Sequence, residues 1–415
     1  MTKNPIIDAL ADPNQLEKLY EQDSKSFQSN LIEALDSRPE VPLLKFWKTR
    51  LEYSATKESR VSVKELSNVL LICLVAFLAV RIPVLMSVEA QWYYPRFAPI
   101  ILFTGLIFYI LKKNSLSKKV GISLAAGILT VVLPMLMLPN TYESSSIVMA
   151  IIHMPLVRWV LLGLAFTGDY WKSSNARLNF IRANGEVFIY STLILLGGIV
   201  LTGLTIGLFQ LINVEIGQWY LNNVVIAGVI SAPILAAYVY VDFMKSNSRI
   251  AVTISNIFAP LFLVTTVAYL IVMVIQQISP FTNREFLILF NGLLVIVLGM
   301  TIYSICGRKH DNPSHLMDAI NVSLICVTLI INVIALAAIL YRFSEWGMSP
   351  NRVVVLGANL LIFGHLGKLL SAYWQVYNKR TLADTLKIAV TGYFPIYGAW
   401  ALFVVLVLPL VFSFR

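Results

Sequence analysis

Apolar runs long enough to cross a bilayer recur along almost the whole chain after Glu65. A membrane-spanning helix needs about 20 mostly apolar residues. Eleven segments meet or approach that length: 66–86, 97–111, 120–138, 147–166, 187–212, 224–241, 257–275, 286–306, 320–340, 353–374 and 388–412. Inside lipid each backbone N–H and C=O must be satisfied within the segment, so such runs fold as helices. The sequence therefore predicts an all-α fold. Residues 66–415 form a polytopic transmembrane helix bundle, and residues 1–65 form a small helical N-terminal cytoplasmic segment. The second run is the weakest, and Pro95 and Pro99 are expected to extend or distort its start.

Charge sets the orientation. The net charge of +10 accompanies only 13% charged residues, against about 25% in a typical soluble protein. In a membrane chain such an excess marks loops facing anionic lipid, so no nucleic-acid partner is expected. With the N-terminus inside, cytoplasmic segments hold 24 Lys and Arg, while the opposite side holds Arg96, Arg284, Arg342, Arg352 and Arg415. An odd number of spans then puts the C-terminus outside. No apolar h-region opens the chain, so no signal peptide is expected. Cys73, Cys306 and Cys326 form no CxxC pair and are expected to be packing residues.

The tail reads as helices of its own. Asp12-Pro13 is an N-cap followed by proline at the first helical position. Leu16, Leu19, Tyr20, Phe27, Leu31 and Leu35 recur at helical spacing. A second helix, near 41–53, separates Leu43, Leu44, Trp47 and Leu51 from Lys45, Lys48 and Glu52. A basic amphipathic helix in that place is expected to lie on the membrane surface, with docking of a cytoplasmic protein as the alternative.

Enzyme motifs are missing: there is no GxxxxGK[ST], HExxH or GxSxG. No catalytic residue and no cofactor is expected. His310, Asp311, His315 and Asp318 match no zinc-ligand spacing, so no metal site is expected, and Asn312 or Ser314 is expected to cap the following helix. All acidic residues are expected in loops or tail, which argues against a carboxylate-based proton relay or sodium site. The spans instead carry Arg81, His153, Arg158, Asn291, Asn332, Asn359, His365 and Lys368. Gly203 and Gly207 are spaced for a close helix contact.

The most specific feature is an internal echo. Asn283-Arg284 is followed by Asn291, and Asn351-Arg352 by Asn359, each Arg seven residues before its Asn. Seven residues are about two turns, so each Arg shares a helix face with its Asn, about 20° apart. Both helices are expected to start on the outer side. Two cations beside free helix N–H groups suit an anion or phosphate headgroup, and Asn332 lies at the depth to join them. The alternative is that Arg284 and Arg352 pair with Glu285 and Glu345 and seal the outer end. His365 and Lys368 form a second polar face on the helix of Asn359, on its opposite side.

The stretches "PFTNREFLILFN" (280–291) and "EWGMSPNRVVVLGAN" (345–359) resemble a bacterial family catalogued as domain of unknown function 4153. The aromatic-rich stretch from Tyr373 to Pro395 is consistent with it, and the likeness covers roughly the last 230 residues. It implies a bacterial cytoplasmic-membrane protein and no reaction. The leading functional expectation is a transport-type or lipid-handling protein with an outward-facing site for an anionic lipid or solute. The site residues would be Arg284, Asn291, Asn332, Arg352 and Asn359. The runner-up is a non-catalytic scaffold or sensor whose residues 1–65 dock a cytoplasmic protein. A third, an intramembrane transferase using His365 as base, lacks a second catalytic group. The charge bias makes a direct prediction: a single cysteine introduced beside Lys118 reacts with a membrane-impermeant maleimide only after the membrane is opened. Reaction in intact cells would reverse the orientation.

Overall fold

The computed structural model describes residues 4–10, 12–58, 63–114, 116–139, 144–211, 215–243, 250–275, 281, 284–308, 315–378 and 384–414. Among them there is helix and no strand. The chain divides into two compact units, 1–68 and 69–415.

The first unit contains α1 (Pro5–Asp8), α2 (Pro13–Gln22), α3 (Ser24–Ser37) and α4 (Pro42–Glu58). Asp12 caps α2 by accepting from Asn14 N–H at 2.9 Å, the expected cap. Ile6, Leu16, Phe27, Leu31, Leu44 and Trp47 close one core. Here the structure departs from expectation. Leu44 and Trp47, which were to rest on a membrane, are buried in the tail's own core, because a short unit has no other apolar surface to fold around. Phe46 and Ile32 are the large apolar side chains it leaves exposed. Arg50 pairs with Glu17 through two bonds of 2.8 and 2.9 Å and lies over the Trp47 ring. The hydrogen bonds that Arg50 donates to the Glu17 carboxylate hold its guanidinium above its ordinary pKa.

The rest of the chain is a multi-pass membrane protein. Ten helices among the described residues are long and apolar enough to cross a membrane, each over one of the expected runs. They involve α7 (Ala90–Lys113), α8 (Lys118–Met137), α9 (Ser145–Thr167), α10 (Ser174–Leu211), α11 (Gly217–Tyr220) continuing through a π-helical stretch into α12 (Ile226–Tyr238), α13 (Ile250–Ile275), α14 (Arg284–Gly307), α15 (His315–Trp346) and α16 (Pro350–Tyr377). The last is built from α17 (Asp384–Gly392), α18 (Phe394–Leu402), a π-helical stretch and α19 (Leu408–Val411). The first expected run is α5 (Val63–Val80) followed, after a turn at Arg81, by α6 (Ile82–Met86). Pro83 cannot donate to the carbonyl of Ala79, and the Tyr93 hydroxyl donates to it instead at 2.7 Å. Leu70, Leu71, Leu74 and Leu78 remain exposed on α5, as lipid contact requires.

Three expectations change. The second span is a full 24-residue helix from Ala90, with Pro95 and Pro99 inside it. Arg96, counted with the outer loops, is therefore a fully buried residue of α7, donating to Trp92 O at 3.1 Å and Pro139 O at 2.9 Å. The fifth span begins at Ser174 rather than 187, which places Glu186 inside a helix. That acid is 2% exposed and accepts from Ala251 N–H at 3.0 Å, in the first turn of α13. A carboxylate there complements the helix N-terminus. Finally, a side chain added at Gly203 would meet nothing within 4 Å, so the expected close contact is not made there. Close approaches occur at Gly185 against Tyr303 and at Gly357 against Trp400.

Two of the apolar clusters gather many of the helices. Ile100, Met135, Met154, Val157 and Val405 join α7, α8, α9 and the last span. Leu178, Leu294, Leu298, Ile325, Leu366 and Leu369 join α10 and α14–α17. The tail core gives a test. Trp47→Ala removes a buried aromatic worth about 3–5 kcal/mol. The tail should then be clipped at a protease dose that leaves it intact in the parent protein, and equal resistance would refute the assignment.

Candidate functional site

The two echo motifs open α14 and α16, and α15 is the helix between them. That connectivity brings their polar faces together. Asn359 donates from Nδ2 to Asn291 Oδ1 at 2.9 Å and to Val355 O at 2.8 Å. Asn332 donates to Asn359 O at 3.2 Å. Three amides from three helices thus form one cluster. Asn332 is fully buried, Asn359 is 2% exposed, and Asn291 is half-buried. The carbonyls of Val355 and Asn359 fix which end of each amide is which, because a carbonyl accepts only from N–H. The oxygens Asn332 Oδ1 and Asn359 Oδ1 are left over, buried and without a protein partner.

Arg352 behaves differently from either expectation. Its guanidinium donates to the carbonyls of Trp346 and Gly347, at 2.7 and 2.6 Å, and lies 5.9 Å from the Trp346 ring. Those carbonyls end α15, so the cation that opposes the dipole of α16 complements that of α15. Glu345 is exposed and is not among its hydrogen-bonding partners. Gly347 makes the turn at φ +68°, a left-handed conformation that a Cβ disfavours. The side chain of Arg284 lies outside the described residues, as does that of Glu285.

A pocket of about 290 Å³ opens at this end of the three helices. Among the described residues its polar lining is Asn291, Arg342, Ser349, Asn351 and Arg352, with no carboxylate. Arg342 was not among the expected site residues, and Asn351 entered only as the residue before Arg352 in the echo. The available signal was position: Arg342 sits in the last turns of the helix that connects the two motif helices. Ser349, the N-cap of α16, makes no side-chain cap bond, so it is not committed to closing that helix end.

Below the amides the same seam stays partly polar. Thr301 and Thr328 are fully buried hydroxyls without a protein partner. Asn321 donates to Ser304 Oγ at 2.8 Å and Tyr373 Oη at 3.3 Å, and Ser304 donates to Asn256 Oδ1 at 3.0 Å. At the far end Arg308 and Asp318 form a bidentate ion pair closing to 2.9 Å. Asp318 is thereby held by an arginine, while residues 309–314, with His310, Asp311, Asn312 and Ser314, lie outside the described residues.

His365 and Lys368 stand apart from this seam. His365 is 1% exposed; its Nδ1 lies 2.9 Å from Tyr397 Oη and its ring stacks on Tyr393 at 4.2 Å. Lys368 is exposed, its ammonium 5.5 Å from the Tyr393 ring. The α16 helix therefore uses one polar face toward α14 and α15 and the other toward the last span. Tyr393 and Tyr397, which complete that second face, were not anticipated. Elsewhere, His153 bonds to Met149 O at 2.9 Å and Arg81 to Asn222 O at 2.8 Å.

No family model, curated protein or solved structure matches the chain. The geometry of the amide cluster is itself testable. Replacing Asn291 and Asn359 by alanine, singly and together, should give a coupling of about 0.5–1.5 kcal/mol in unfolding from detergent. Strict additivity would mean that the bond does not hold the helices.

Proposed function

We propose that this integral membrane protein is of the transport or lipid-handling type and receives an anionic or phosphate-bearing molecule in the pocket between α14, α15 and α16. One observation carries the reading: two guanidinium groups, Arg342 and Arg352, line the same pocket with amides and a hydroxyl, and no described residue adds a carboxylate. Planar guanidinium donors match phosphate and carboxylate oxygens in pairs. Helix α16 starts beside them, and its first N–H groups add a partial positive charge. The volume, near 290 Å³, suits a headgroup or small solute at the lower limit of ordinary ligand pockets. The charge bias of the loops supports an outward-facing mouth and a bacterial cytoplasmic membrane as the setting. The resemblance to the domain of unknown function 4153 family belongs to the same proposal and rests on residues 280–291 and 345–359.

A second reading, a scaffold or sensor, is favoured by one feature of the tail. Ile32 and Phe46 are exposed on a unit that otherwise buries its large apolar residues. Deleting residues 1–65 should then remove a stable cytoplasmic partner and leave lipid content unchanged.

The leading reading predicts that Arg342→Ala with Arg352→Ala loses a co-purified anionic lipid, or binding of inorganic phosphate, while keeping the parent elution profile. Mass spectrometry of extracted lipid and phosphate titration of delipidated protein separate the two sources. Unchanged ligand content in the double variant would reject the site.

A further inference from the structure

Ile288 belongs to two surfaces at once. It lines the pocket beside Asn291, and it is 59% exposed on the flank of α14. Counted from Ile288 along the helix, Gly292, Val295 and Gly299 fall within about 40° of it, so the four form one straight stripe. Val295 is likewise 59% exposed, and no described residue comes within 4 Å of a side chain added at Gly292 or Gly299. The stripe is an apolar track, low at each glycine, that begins at the pocket wall and is open to the bilayer. From Ile288 to Gly299 it descends about 16 Å, one leaflet's share of a hydrocarbon core of about 30 Å.

The cations of the pocket stand at headgroup depth. Trp346 ends α15 and is exposed, and its ring lies 6.0 Å from the Arg342 guanidinium and 5.9 Å from that of Arg352. An exposed tryptophan at the end of a spanning helix marks the membrane–water interface, the level at which lipid phosphates lie. The hydrogen bonds of Arg352 to the carbonyls of Trp346 and Gly347 use Nη1, so Nε and Nη2 remain for a ligand. The rest of the lining is apolar: Leu287, Ile288, Ile339 and Val355. A solute arriving from water has no use for such a wall, whereas a lipid brings its own apolar part.

We infer that the pocket receives the headgroup of an anionic glycerophospholipid, which enters sideways from the leaflet at this end of the bundle with an acyl chain along Ile288, Gly292, Val295 and Gly299. The inference rests on the anion pocket proposed above and narrows its occupant to a lipid. The two guanidinium groups match the phosphate. No described lining residue offers a carboxylate for the ammonium of a zwitterionic lipid, which selects an anionic headgroup. The track selects the chain by its depth and its openness to the bilayer. A lipid already holds its phosphate at this level and reaches the arginines without leaving the membrane. A free phosphate ion would have to shed its water against the apolar wall.

The test titrates delipidated full-length protein in detergent and follows its thermal midpoint. The probes are glycerol phosphate, dioctanoyl phosphatidylglycerol and dioctanoyl phosphatidylcholine. The half-saturating concentration should fall about tenfold or more from glycerol phosphate to dioctanoyl phosphatidylglycerol, because each buried methylene adds affinity. Phosphatidylcholine of the same chain length should bind several-fold more weakly. Gly292→Phe fills the track without touching the arginines. It should raise the half-saturating concentration of phosphatidylglycerol several-fold and leave that of glycerol phosphate unchanged. Equal responses to glycerol phosphate and phosphatidylglycerol overturn the inference and leave the anion pocket standing, as does an unchanged lipid response in Gly292→Phe. Equal responses to the two lipids also overturn it. No response to any probe rejects the proposed function together with the inference. If Gly292→Phe does not fold, the comparisons of chain and headgroup decide.

Discussion

Asn359 holds the centre of the α14–α16 seam through a single side chain. Its amide nitrogen reaches Asn291 on α14, and its backbone carbonyl receives Asn332 from α15. In lipid there is little apolar driving force between helices, so hydrogen bonds and close packing must hold them. Breaking the cluster would leave fully buried amides without partners, at a cost of about 1–3 kcal/mol for each group. The outer pocket depends on this. Asn291 is both a member of the cluster and part of the pocket wall, while Val355 lines the pocket and offers its carbonyl to Asn359. The amides tie α14 to α16, and residues of both helices wall the pocket beside Arg342 and Arg352.

The same constraint explains how cations are placed. The bundle satisfies most of its described arginines with backbone carbonyls rather than with acids. Arg96 takes the carbonyl of Pro139 just beyond α8, Arg352 takes the carbonyls ending α15, and Arg177 takes that of Thr391. Carbonyls left over at helix C-termini are acceptors that the fold must satisfy anyway. Using them spares the desolvation of a second charge, which a buried ion pair would add. The one buried acid inside a helix follows the mirror rule: Glu186 accepts from the first turn of α13. Charges in this protein are matched to helix ends more than to one another.

Much of this was legible in sequence because hydropathy reports depth. Ten expected runs became long helices, and the two asparagines that the echo named, Asn291 and Asn359, do meet. What failed did so for physical reasons. Hydropathy cannot see a helix continuing into polar sequence, so the starts at Ala90 and Ser174 were missed, and Arg96 and Glu186 were assigned to loops. Amphipathic spacing in the tail identified a buried face but not its partner, which proved to be Phe27 and Leu31 rather than lipid. A small-residue pattern permits close helix approach, but no described residue comes within 4 Å of a side chain added at Gly203, and the side-chain position of Gly207 lies outside the described residues. Arg342 carried no motif at all; only the connectivity of α14, α15 and α16 brings it to the pocket.

Beyond those contacts, buried polar atoms are left without a protein partner in several places. On the α14–α16 side they include the oxygens Asn332 Oδ1, Asn359 Oδ1, Thr301 Oγ1 and Thr328 Oγ1, together with Arg342 Nε. On the α9 side they are the Nε and Nη1 donors of Arg158. The two sets cannot satisfy each other, because Arg158 faces α7 while the oxygens lie along α15 and its neighbours. Neutral oxygens can be satisfied by buried water at modest cost. A buried guanidinium is not matched that way, because water brings no counter-charge. The pocket at Arg342 and Arg352 differs again: its arginines are half-buried, and Arg352 already has carbonyl partners.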